Sequence, residues 1–282
     1  AEPVPQMIVT GNRLPRLLCA LGAGMAFGLA GALFQTMLRN PLASPDWIGF
    51  TPGASFGALL AIYLTGGYVV AGALGGILVT AAIVLGLSLE GGLNIRKLVV
   101  IGIGVNLSIA AAADLLLARV DLMTAEDMAK WLVGTLNGRN WADVTLIWGG
   151  LALLAPAAWA LSFPLKAMMI GDDVAAGQGV ALSPVRAGVA ATGVGAVAIG
   201  VSVAGPLPFV AFLSGPIAKM LEGGGRPSLY SAAMVGALTV LAADYCARMT
   251  PLVQLPAGVF TALIGAPCLL YLLVRVAKEG RI

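Results

Sequence analysis

The chain has 282 residues, 59% of them hydrophobic and 10% charged, with 16 basic and 13 acidic side chains and no histidine. Soluble domains carry about a quarter charged residues, so this composition, with a mean hydropathy of +0.96, points to an integral membrane protein. Histidine-based metal ligation and base catalysis are excluded outright, and a net charge of +3 spread along the chain does not make a nucleic-acid surface.

The N-terminal stretch AEPVPQMIVTGNRLPR is polar and proline-rich, without the basic start and apolar core of a cleavable signal. Apolar runs near the length that crosses ~30 Å of hydrocarbon then recur to the end of the chain. There are about nine, at 14–38, 47–65, 68–89, 97–118, 142–163, 186–204, 206–221, 229–247 and 257–276. Pro206, Pro208 and Pro216 interrupt the seventh and predict a broken or tilted helix there. The runs are apolar on every face rather than alternating, which argues against a barrel. The fold class is all-α, a polytopic helix bundle, expected as one domain over 1–282.

Between the first two runs lies RNPLASPDWIGFTPGAS, residues 39–55. Pro41 and Pro45 end the helix, Arg39 is expected among lipid headgroups, and Gly49 and Gly53 let the next helix pack closely. Small residues four apart, Gly24 with Gly28, Gly53 with Gly57 and Gly72 with Gly76, suit close helix contact in lipid, where hydrophobicity alone gives helices no reason to associate. Cys19, Cys246 and Cys268 form no CxxC pair and are taken as packing residues.

Asp114, five residues before Arg119, and Asp244, four before Arg248, fall inside the runs. A carboxylate at a helix centre costs roughly 2.5–3.5 kcal/mol on insertion scales. Local ion pairing near a helix end explains both, and a transport role is the alternative.

Two connectors are long enough to have structure of their own. In 119–141, Thr124 is a cap candidate with Asp127 at the capping-box position, followed by an apolar face of Met128, Trp131 and Leu132, which predicts an interfacial helix at about 119–135. The segment 163–186 predicts two short helices, the first started by Asp172 or Asp173 and ended by Gly177 and Gly179, the second started by Ser183 and Pro184. Its apolar side chains, Met168, Met169, Ile170, Val174, Val180 and Leu182, make it either a docking platform or a self-packed loop.

With nine spans the ends lie on opposite sides. An outside N-terminus puts ten basic residues in the cytoplasm (Arg39, Arg96, Lys97, Lys166, Arg186, Lys219, Arg226, Arg275, Lys278, Arg281) against six outside (Arg13, Arg16, Arg119, Lys130, Arg139, Arg248). The positive-inside rule therefore favours a cytoplasmic C-terminus. No GxxxxGK[ST] occurs, EGGGRPS at 222–228 lacking both lysine and spacing, so no P-loop is present. No motif brings a nucleophile, base and acid together, and no catalytic residue is expected.

Eight segments in order, RLPR (13–16), GALFQTMLRNPLASPDWIGFTPGA (31–54), IGIGVN (101–106), WLVGTLNGRNW (131–141), GDDVAAGQGV (171–180), AGPLPFVAF (204–212), LAADYCAR (241–248) and LPAGVFTALIGAPCLLYLL (255–273), carry a resemblance that runs nearly end to end. The chain resembles the membrane permeases of ATP-driven importers for iron-siderophores, haem and cobalamin, and among them the catecholate, enterobactin-type permeases. The resemblance implies a ten-helix subunit of the bacterial inner membrane whose first helix would precede Ala1, with alternating access driven by a separate ATPase.

It also implies that 166–185 forms the coupling helices pressed into the ATPase, with Gly171, Asp172, Asp173, Gly177 and Gly179 matching that pattern. Arg13, Arg16 and Arg248 match positions that meet acids on a periplasmic binding protein, a task suited to exposed arginines. The path would run along 97–118, 119–135 and the last helix, between two permease subunits, with Asn106, Ser108 and Thr261 as its polar candidates. Implied partners are a second, related permease, two ATPase subunits carrying ATP and Mg, the binding protein, and lipid. No cofactor or metal ligand is implied in this chain, because a chelated metal needs a wide, weakly binding passage. The stretch SGPIAKML (214–221) departs from the family's Pro-His plus arginine, with Lys219 in place of the arginine. A carrier driven by an ion gradient and dependent on Asp114 or Asp244 is the rival from another class.

Overall fold

Every apolar run becomes a helix, but two of those helices, Phe50–Thr65 and Val210–Leu221, are shorter than a bilayer is thick. The computed structural model describes residues 8–223, 228–250 and 255–278. After a π turn, Val9–Arg13, come α1 (Leu14–Met37), α2 (Phe50–Thr65), α3 (Val69–Leu87), α4 (Ile95–Leu117), α5 (Leu122–Leu132), α6 (Trp141–Ile170), α7 (Asp172–Gly177), α8 (Leu182–Ala204), α9 (Val210–Leu221), α10 (Leu229–Met249) and α11 (Ala257–Lys278). The start 1–7 and two of the basic residues used for orientation, Arg226 and Arg281, lie outside the described residues.

Among the described residues six helices, α1 with its π turn, α3, α4, α6, α8 and α10, are long and apolar enough to span, α2 and α9 are shorter apolar helices, and α11 runs for 22 residues. The chain is therefore a multi-pass, all-helical membrane protein. At 1.5 Å per residue, the 16 residues of α2 and 12 of α9 reach about 24 and 18 Å, less than the hydrocarbon thickness. Length thus marks α2 and α9 as shorter than a full span, while the 22 residues of α11 reach about 33 Å.

The helix α1 is the axis of the bundle, buried along most of its length and packed on α6, α8, α9 and α10. Glycine is what permits this. A Cβ on Gly24 would lie 2.3 Å from the Gly236 carbonyl oxygen, and one on Gly31 would lie 1.7 Å from that of Ala211. The pairs read from sequence meet as expected on α2 and α3, where a Cβ on Gly57 would reach 2.2 Å from the Gly72 oxygen. Around this axis Phe27, Leu33, Phe34, Phe50 and Ile147 fill the core. By contrast α4 buries only Leu98 and Gly102.

The connector 163–186 differs from expectation. The helix α6 runs on through Pro156 and Pro164 to Ile170, since prolines are tolerated in membrane helices where neighbouring groups re-satisfy the backbone. Only one short helix, α7, follows. The second predicted helix is the first turn of α8, which starts after Ala181 with no side-chain cap, so Ser183 does not cap it. Nor do Asp172 and Asp173 cap α7, which begins after Gly171 without a side-chain hydrogen bond.

Candidate functional site

At the end of the bundle where α1 and α6 finish, Asp172 holds four elements together. Its carboxylate accepts from the Arg186 Nη2 of α8 at 2.6 Å and from the Arg39 Nη2 just beyond α1. Arg39 also donates through Nε to the Met168 carbonyl oxygen of α6 at 2.8 Å. Arg39 does this at φ +50, an uncommon conformation for a non-glycine residue, and its side chain, 41% exposed, is tied to α6 and α7 while keeping an open edge. Beneath α7, Ala167, Met168 and Ala175 form a small apolar cluster with Val180, Leu182 and Val185. The opposite surface is unpartnered: Ile170 is 62% exposed, and Asp173, Val174, Gly177 and Gly179 are exposed beside it. Gly179 closes the turn at φ +81. The five predicted coupling residues therefore divide, with Asp172 and Gly171 turned toward the bundle and the rest outward.

At the other end Asp244 of α10 is clasped by two arginines. Arg16 Nε donates to both carboxylate oxygens at 2.9 and 3.1 Å and its Nη2 at 2.6 Å, while Arg248 Nε stands 3.3 Å away. Arg16 Nη1 donates to Asn137 Oδ1 at 2.5 Å, which ties in the segment before α6. The expected local pair with Arg248 exists, but Arg16 is the stronger partner. Its side chain is only 16% exposed, so it is a structural clasp more than an open vestibule arginine. Arg13 is exposed in the π turn and Arg248 is partly so. For Asp114 the expected pairing with Arg119 is absent: among the described residues no basic group lies within the 4.0 Å ion-pair limit.

The interfacial helix appears as α5, with buried Met128 on its inner side. Its cap is Asp121, not Thr124: Asp121 accepts from the Thr124 amide at 3.1 Å and from the Thr124 hydroxyl at 2.7 Å. Those two bonds hold its carboxyl below the usual carboxylate range. The capping box that does form belongs to α6, between Asn140 and Asp143, a signal present in sequence but passed over.

Between these ends, two of the short helices start inside the apolar zone. Gly49, at φ +87, precedes α2 and packs on Gly102 and Asn106 near the middle of α4. Phe209, at φ +65, precedes α9 and lies against Gly265 of α11, where a Cβ would fall 2.4 Å from the Phe209 Cβ. Irregular backbone at such depth is tolerated only when it is buried in protein or lines a cavity. A cavity of about 460 Å³ is indeed there, lined by Ser44, Asp46, Thr51, Asp114, Pro208 and Phe209 among others. Asp46 accepts from the hydroxyls of Thr51 at 2.5 Å and Ser44 at 3.0 Å. Sequence reasoning missed Asp46 because it sits one residue before the run 47–65, in the segment taken as a surface turn.

The predicted path residues fare differently. Asn106 shares a helical face with Ile109, Ala110 and Ala113, which line the cavity. Ser108 lies on another face and donates to its own helix at Gly104. Thr261 is buried and donates to the Gly258 carbonyl oxygen at 3.0 Å. Among the described residues no group of three or more Asp, Glu, Cys or His side chains could hold a metal ion, and the site offers scattered hydroxyl, amide and carboxylate groups around an apolar passage.

Comparison with known proteins places this architecture. The chain is 39% identical over 280 residues to the ferric enterobactin transport system permease protein FepG of Escherichia coli K12, covering 98% of this chain and 84% of that one. It is 34% identical to the probable siderophore transport system permease protein YfhA of Bacillus subtilis, covering 97% and 83%. A solved metal-chelate type ABC transporter in an inward-facing conformation superposes with a TM-score of 0.90 at 29% identity, covering 97% of this chain and 89% of that one. Residues 1–275 match the model of the FecCD transport family, and the chain belongs to that family.

Proposed function

We propose that the chain is the permease subunit of an ATP-driven importer that moves a ferric siderophore across the bacterial inner membrane by alternating access. The observation that carries this is the pairing, within a transport-family chain, of a passage opened by broken helices with an outward platform of Ile170, Asp173 and Val174 at the far end. A solvated connector has no need of that apolar surface. The platform docks an ATPase subunit, and ATP with Mg is bound there, while this chain contributes no catalytic group and no cofactor.

The Asp172 end faces the cytoplasm in this proposal, with the C-terminus on the same side, as the distribution of basic residues favours. The Asp244 end meets the periplasmic binding protein through exposed Arg13 and the free edge of Arg248. The lightly buried α4 packs on a second, related permease subunit, and Asn106 on the cavity side of α4 contacts the passing chelate. Similarity to the enterobactin permease favours a catecholate ligand.

The test is uptake of radiolabelled ferric enterobactin into cells lacking the chain, with rescue by wild type or by Asp173→Lys. Loss of uptake together with loss of ATPase co-purification supports the platform. Uptake that survives ATP depletion but stops when the ion gradient is collapsed would establish a gradient-driven carrier instead.

A further inference from the structure

Three observations converge on Asp172. Among the described residues it is the one carboxylate at its end of the bundle that receives two arginines, Arg39 just beyond α1 and Arg186 of α8. The Arg186 Nε is buried with no acceptor among the described residues, so this guanidinium holds Asp172 by one edge and leaves a donor unsatisfied. A cavity of about 610 Å³ opens beside the three side chains, walled on its other side by the 90–96 segment. An unpaired buried donor favours an acceptor, and the cavity gives Asp172 room to turn toward it.

We infer that Asp172 is a positioning residue that transmits movement of α7 to the core: it latches α7 to the axis helix α1 through Arg39 and to α8 through Arg186. This deepens the proposed function and rests on it. A push on α7 displaces one carboxylate, and that displacement is felt by α1 and by α8, the two most deeply buried spans. Rotation of Asp172 into the cavity would let Arg186 bind it through both Nη2 and Nε, the two-point geometry that arginine forms with carboxylates, while Arg39 slackens its hold. The latch then has two settings, and the ATPase selects between them through the platform of Asp173 and Val174. Asp172 itself does not touch the ATPase.

The test uses the assembled permease–ATPase complex in proteoliposomes with its binding protein and radiolabelled ferric enterobactin. Three quantities are read: ATPase subunit retained, ATP hydrolysed, and chelate transported per ATP. For Asp172→Asn and Arg39→Gln alike, the expected result is a retained ATPase subunit and continued hydrolysis, with transport per ATP reduced about twofold to thirtyfold, the range for mutations on a coupling route. The double variant should lose less than the sum of the two single losses, since both remove the shared Asp172–Arg39 contact, and Asp172→Glu should recover part of the yield. Release of the ATPase subunit by Asp172→Asn but not by Arg39→Gln would overturn the latch and make Asp172 a docking group. Additive losses, or wild-type transport per ATP in both single variants, would overturn it too. Should Asp172→Asn fail to assemble, Arg39→Gln carries the same comparison. A wild-type complex that retains no ATPase subunit would refute the proposed function itself, a result separable from all of these.

Discussion

Each end of the molecule has a carboxylate between two arginines, and the two are built for opposite purposes. Asp244 is sealed, with its side chain 2% exposed, and Arg16 fills both of its oxygens. Asp172 is 36% exposed, its arginines approach singly, and a cavity lies beside it. The same three groups give a weld where they are desolvated and fully bonded, and a latch where they are wet and partly bonded. Burial and hydrogen-bond completeness decide between the two.

The hardest way to break the comparison is Asp244→Asn. It strands two arginines, one largely buried, and breaking a buried pair costs about 3–5 kcal/mol. Thermal unfolding of the detergent-purified complex should show a large drop in midpoint, with low membrane yield. A midpoint close to wild type would mean that the clasp is solvated in the membrane and that the two ends do not differ in kind.

How this clasp escaped the sequence is instructive. The spacing of Asp244 and Arg248 is visible to any helical reading, but Arg16 lies 228 residues from Asp244 in sequence, and only packing of α1 on α10 joins them. The helices themselves were legible because a continuous apolar run has few alternatives in lipid. The breaks at Gly49 and Phe209 were half-legible: Pro41, Pro45, Pro206 and Pro208 announced them, but nothing local revealed that they occur at membrane depth. Caps were misassigned where neighbouring candidates compete. Asp121 and Thr124 both suit a helix start, and the earlier residue won because its carboxylate takes the Thr124 amide and hydroxyl together.

The seam that carries the weld can be opened without touching a charge. Gly24→Ala places a methyl 2.3 Å from the Gly236 oxygen, forcing α1 and α10 apart at a cost of about 1–3 kcal/mol. Gly149→Ala on α6, with nothing within 4 Å of the added carbon, is the control and should be neutral or stabilising by up to about 1 kcal/mol. Equal destabilisation by both would show that helix propensity, not close approach, is being measured.

At the latch the same chemistry should barely register as stability. Asp172→Asn removes two ion pairs at a carboxylate 36% exposed, one with Arg39 at 41% and one with Arg186 at 17%, and pairs open to solvent contribute about 0–1 kcal/mol each. The unfolding midpoint should stay near that of wild type while transport per ATP falls. A drop comparable with that of Asp244→Asn would make Asp172 a second weld and remove the contrast.

The smallest effect is expected from pH at the wall of the latch cavity. Glu90 pairs with Lys97 at 2.6 Å, and the hydrogen bond and charge of Lys97 hold its carboxyl below the ordinary glutamate value, about 4.3. A depressed carboxyl contributes order above its unfolded value and loses it as pH falls through the folded one. The hairpin 88–94 should therefore keep its mobility unchanged from neutral pH down to about 5, and loosen only below the ordinary glutamate range. A spin label at Gly91 followed against pH measures this directly, with Glu90→Gln expected to abolish the acid step. Loosening already between neutral pH and about 5 would mean that some other group orders the wall, and the latch would then have a pH-sensitive neighbour that the sealed clasp at the opposite end lacks.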